Sequence, residues 1–117
     1  MQYIKITITS LLIATALIGC GSGKPTKEQK QAADDYIEEL VSADIGIYEG
    51  ELTDANYLIL AVDAYPGANF DIYARTYLNN AISEGLEIDG VYIVDIKDCQ
   101  FGDGWVTGER IGSAFAE

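Results

Sequence analysis

The chain has 117 residues, with 7 lysine and arginine residues against 19 aspartates and glutamates, a formal net charge of −12, and no histidine. That balance argues against nucleic acid as a partner, because phosphate binding needs clustered basic side chains. The missing histidine removes Ser-His-Asp and Cys-His nucleophile systems, histidine-based metal sites and the usual pH switch.

Taken from the front, residues 1–5 carry one positive charge and no acid, and an apolar run follows from Ile6 to Gly19, interrupted only by Thr7, Thr9, Ser10 and Thr15. Its length and flanks match the apolar region of an export signal, and it is short for a bilayer span. The run ends on Leu17-Ile18-Gly19-Cys20. This tetrapeptide resembles the lipobox of bacterial lipoproteins: an aliphatic residue, a small or aliphatic one, a small one, then cysteine. The resemblance implies cleavage after residue 19, a diacylglycerol thioether on Cys20, and a membrane as the first partner. Two or three acyl chains make a stable anchor, since each buried methylene contributes about 0.8 kcal/mol. Gly21, where the family uses aspartate for inner-membrane retention, implies the outer membrane in a double-membraned bacterium.

Loss of residues 1–19 would leave 98 residues with 6 basic and 19 acidic side chains. That length suits one modest core. A lipid on Cys20 would also leave Cys99, the second of two cysteines, without an intrachain partner. Cys99 is then a buried small hydrophobe, a free thiol or an intermolecular link, with burial the favoured reading. Residues 21–25, Gly-Ser-Gly-Lys-Pro, form a tether of roughly 12 Å by random-coil scaling. The expected organisation is thus a signal over residues 1–19, a lipidated cysteine and tether over 20–25, and a small acidic domain over 26–117.

Thr26-Lys27-Glu28-Gln29 has the form of a capping box. Ala33, Tyr36, Ile37, Leu40 and Val41 recur behind it at helical spacing, predicting a helix from Lys27 to about Ala43. Lys24, Lys27 and Lys30 oppose the helix dipole there. They are either contacts for anionic head groups or ordinary solvated lysines. Ile45 and Ile47 predict a short edge strand, and Glu49-Gly50-Glu51 and Thr53-Asp54 read as turn material. The apolar run Tyr57 to Val62 predicts a central strand, ended by Pro66-Gly67.

Asn69 is a helix cap with Asp71 in the first turn, and Phe70, Tyr73, Ala74, Tyr77, Leu78, Ala81 and Ile82 trace one face up to Gly85. Gly90 to Ile96 predicts a second core strand. A strand, a helix and a strand with short links imply a crossover and partly parallel pairing. Asp98 to Gly104 reads as a loop with Gly102 and Gly104 at positive φ. Trp105-Val106-Thr107 reads as a returning strand, and Arg110 to Phe115 as a closing element. The fold class is therefore α+β: two amphipathic helices on one three- to four-stranded mixed sheet. The element order also resembles that of the BON domain, a small membrane-associated envelope module, in architecture alone.

Chemistry is sparse. Cys99 has no evident base or second thiol, and no phosphate or dinucleotide fingerprint occurs. Nothing in the chain calls for a cofactor. Asp98 and Glu109 stand at the first and twelfth positions of a calcium-loop count, but Asp103 occupies the glycine position, which excludes an EF-hand. A looser calcium site from Asp95, Asp98 and Asp103, or a small hydrolytic site in the acidic stretch 98–109, is the alternative. Phe101 and Trp105 are candidate binding anchors, or else plugs for the end of the small sheet. The reading favoured by these observations is a lipid-anchored, non-catalytic accessory or binding module of the cell envelope, with an envelope protein as its partner.

Overall fold

A computed structural model describes residues 24–117; the signal and lipobox readings, Cys20 included, lie outside the described residues. The first helix, α1, spans Lys27–Ser42. Its capping box is formed: Thr26 Oγ1 accepts from the Gln29 N–H at 3.1 Å, and the Gln29 side chain accepts from the Thr26 N–H at 2.7 Å. Strand β1 runs Ile47–Leu52 and β2 runs Tyr57–Val62. Helix α2, Phe70–Ser83, is capped by Asn69, whose side chain accepts from the N–H groups of Asp71 and Ile72. Strand β3 spans Gly90–Asp95, a 3-10 turn follows at Ile96–Asp98, and β4 (Cys99–Gly102), β5 (Trp105–Gly108) and β6 (Gly112–Phe115) complete the chain. Among the described residues no helix is long and apolar enough to cross a membrane.

The main sheet has the order β1-β2-β3-β6. The α2 crossover makes β2 and β3 parallel, with Tyr57 opposite Gly90 and Val62 opposite Asp95, while the two outer pairings are antiparallel. Both helices lie on one face. Alternation along the strands sends Leu58, Leu60, Val62, Val91, Ile93 and Ala114 to that face, where they meet Ala33, Ile37, Leu40, Ala74, Leu78 and Ala81. The helices are joined by Tyr36, 4% exposed, whose hydroxyl lies 2.5 Å from Asn80 Oδ1. The fold class expected from the sequence is the one observed: two helices on a four-stranded mixed sheet, with a small two-stranded sheet in addition.

Three local expectations are corrected. Glu49-Gly50-Glu51 is strand rather than turn, because a Cβ on Gly50 would stand 3.0 Å from Leu60 and 3.1 Å from Ile37; the glycine lets α1 approach the sheet. The chain turns instead just before it, with Asp44 and Gly46 both at positive φ. Asp98 to Gly104 is not a loop: β4 pairs antiparallel with β5 from Cys99–Gly108 to Gly102–Trp105. Gly104 has positive φ as expected, but Gly102 does not; its missing side chain makes room for the Trp105 indole, which a Cβ would meet at 2.0 Å. Val41 and Ile82 are exposed, because each lies on a flank of its helix, about a quarter-turn from the centre of the buried stripe at 100° per residue.

Candidate functional site

The second face of the sheet is where the fold leaves something unfinished. In β2 and β3 the residues pointing away from the helices are also apolar: Tyr57, Ile59 and Ala61, then Tyr92 and Val94. A sheet apolar on both faces needs a second cover. The β4–β5 hairpin supplies it for part of the area. Val106, with Phe101 and Cys99 beside it, closes on Ile59, Ala61 and Val94.

The remainder is an aromatic patch. Tyr57 and Phe115 meet over Gly90, where a Cβ would stand 3.1 Å from each ring. The ring centroids are 6.2 Å apart, and Tyr92 completes the triangle at 5.3 Å from Tyr57 and 5.6 Å from Phe115, all in tilted or edge-to-face contact. Phe115 is 46% exposed. Arg110 holds the border with the hairpin: its guanidinium lies 5.4 Å from the Tyr92 centroid and donates to the carbonyls of Val106 and Gly108, each at 3.1 Å. Arg75 donates to the Phe115 carbonyl at 3.5 Å. The two arginines of this strongly acidic chain thus flank one apolar surface. Such a surface can bind by apolar burial with two cations at its rim.

The residues singled out from the sequence are scattered around this patch. Phe101 turns inward onto Ile59 and Val94, whereas Trp105, 49% exposed, points to the opposite side of the hairpin and lies across Gly102. The hairpin thus separates these two aromatics, and Trp105 does not plug the sheet. Asp95 is committed locally: its side chain accepts from the Lys97 N–H at 3.1 Å, and that bond, with the Lys97 charge, holds the carboxyl below its ordinary range. Lys97 also pairs with Asp63. Asp98 sits at the base of the hairpin, while Asp103 stands at its tip, 3.7 Å from Lys30. The three aspartates do not converge, and among the described residues no group of three or more histidine, cysteine or acidic side chains is placed to hold a metal ion. The stretch 98–109 is a hairpin with Asp98 and Glu109 at its base and Asp103 at its tip.

Cys99 is half-buried rather than fully enclosed, and has no disulfide partner among the described residues. Burial first, then the carboxylates of Glu49, Asp95 and Asp98, pushes its thiol up from the ordinary value, which leaves it a poor nucleophile at neutral pH. Of the three leading lysines, Lys30 is engaged: its ammonium bonds Glu51 Oε2 at 3.2 Å and the Leu52 carbonyl at 3.1 Å.

Comparison with known proteins places this architecture. A family model whose description reads "Hypothetical protein" matches residues 28–116, from the first turn of α1 to the end of β6. The chain belongs to that family. A solved crystal structure, described as a protein with alpha-lytic protease prodomain-like fold from Parabacteroides distasonis ATCC 8503, is 36% identical, with a TM-score of 0.66 over 72% of this chain and 99% of that one. The domain shares that prodomain-like fold. No curated protein matches the chain.

Proposed function

We propose that the protein is a lipid-anchored accessory lipoprotein of the bacterial cell envelope that binds an envelope protein through the aromatic patch and catalyses no reaction. Residues 1–19 act as the export signal, Cys20 carries the lipid, and residues 20–25 tether the acidic domain close to its membrane, on the periplasmic face of the outer membrane where there is one. The observation that carries the binding reading is the triangle of Tyr57, Tyr92 and Phe115, left open on the sheet with Arg110 and Arg75 at its rim. The lipobox residues Leu17 to Cys20 support the anchor.

Two measurements test it. Metabolic labelling with a palmitate analogue should mark the wild-type chain and not Cys20→Ser; label retained in that variant removes the anchor. A photo-crosslinking residue at position 115 should capture one stoichiometric envelope protein in intact cells, and the adduct should disappear with Tyr92→Ala. The same reagent at Ile72, exposed on α2, is the control, and equal capture there ends the assignment of the patch.

A further inference from the structure

The β4–β5 hairpin pairs only with itself, and neither of its strands joins the four-stranded sheet. Along its length it is held by side chains alone, Val106 and Phe101 against Ile59, Ala61 and Val94. A lone two-stranded hairpin is marginally stable in water, so its attachments decide whether it stays down. At the base the attachments are covalent, through Asp98 and Glu109, and Arg110 adds its bonds to Val106 and Gly108. At the tip they are few. The Gly104 N–H donates to Glu51 Oε2 at 2.8 Å, and the Gly104 carbonyl accepts from the Asp54 N–H at 3.0 Å. The same Glu51 oxygen receives Lys30 from α1, and the Glu51 side chain is 19% exposed. One carboxylate oxygen therefore ties together the helix, the edge strand and the tip of the hairpin. Gly104, at φ +85, brings its backbone so close that a Cβ would stand 2.6 Å from Asp54 Oδ1.

We infer that the β4–β5 hairpin is a flap hinged at residues 96–98 and 109–111 and clasped at its tip by Glu51. Its release uncovers Ile59, Ala61 and Val94, which adjoin Tyr92 and so enlarge the aromatic patch into one continuous apolar face. The closed flap keeps that face dry. The open flap offers a partner a longer stretch of β2 and β3 to lie against, and Cys99, on the inner side of β4, becomes accessible with them.

Hydrogen–deuterium exchange on the full chain tests this without any partner, and so independently of the binding reading. In Glu51→Ala the amides of residues 99–108 should exchange about tenfold faster, the factor expected for one charge-assisted hydrogen bond, while peptides covering β2 and β3 keep their wild-type rates. Glu51→Gln, whose amide oxygen still accepts from Gly104, should fall between the two and serves if the alanine variant does not fold. In a Cys20→Ser background, labelling of Cys99 should accelerate in the same proportion. Unchanged exchange in the hairpin overturns the clasp. An equal rise across hairpin, β2 and β3 overturns the flap, because it makes the hairpin part of one cooperative unit with the sheet.

Discussion

Gly112→Ala is a one-methyl change that the fold should not tolerate. Gly112 lies where β6 passes under the start of α2, and its φ is one that alanine adopts freely, so any cost is steric. A Cβ there would stand 2.3 Å from the Phe70 carbonyl oxygen, 2.5 Å from its carbonyl carbon and 2.7 Å from its Cβ. Comfortable contacts need about 3.5 Å, so two backbones must part by roughly 1 Å. Overpacking of this kind costs about 1–3 kcal/mol. The same displacement stretches the bond from the Ser113 N–H to Asp71 Oδ1, now 2.9 Å, which adds about 1 kcal/mol at this exposed position. The total is about 3 kcal/mol, or a melting midpoint lower by on the order of 10–20 °C for a domain of this size. Urea and thermal melts followed by circular dichroism measure it. Gly67→Ala is the comparison: its φ is +84 with nothing within 4 Å, so it carries only the conformational penalty of about 1 kcal/mol. The packing argument fails if Gly112→Ala loses no more than Gly67→Ala.

The Tyr36 hydroxyl is pushed up to about 12, by burial first and then by the charge of Glu84. The folded state thus keeps a proton that the unfolded chain releases near pH 10, so stability should fall as pH rises from about 10 to 12. Tyr77, by burial, and Tyr65, by its bond to Tyr73, are also raised. Tyr36→Phe should therefore reduce that slope in urea melts and cost about 1 kcal/mol at neutral pH through the lost bond to Asn80; an unchanged slope would refute the assignment. Millimolar calcium should leave the melting midpoint of the chain where it is, and an upward shift of several degrees would reinstate a cation site near 98–109. In a Cys20→Ser background, the Cys99 thiol should react with a disulfide reagent at pH 7 more slowly than free cysteine. A rate equal to the free thiol would contradict its packing against Val106 and Val94.

Much of this architecture was legible where local chemistry and global role agree. The capping box at Thr26, the Asn69 cap and Gly85 mark helix ends by interactions within a few residues, and the parallel pair β2–β3 follows from two apolar runs flanking a helix. Glycine is where the reading failed. Gly50 and Gly102 look like turn residues but serve contacts with residues distant or across a strand, Ile37 and Trp105, and nothing local distinguishes the two uses. The patch was hidden for a related reason. Tyr57, Tyr92 and Phe115 come together only through the register of three strands, with Gly90 between two of them. A signal was nonetheless present: both β2 and β3 are apolar at odd and even positions, which demands a cover on each face, and the helices can supply only one.

The two edges of the main sheet bear on how these molecules behave when crowded. Along β6 the outward Ser113 N–H is taken by Asp71 and the Phe115 carbonyl by Arg75. Along β1 the Leu52 carbonyl is taken by Lys30, and a bulge between Ile47 and Glu49 breaks the run. Each engaged group, and the bulge, removes a pairing point that a strand from a neighbouring copy would need. Lys30, Asp71 and Arg75 thus blunt the two edges of the sheet, which disfavours edge-to-edge association where many copies are densely packed.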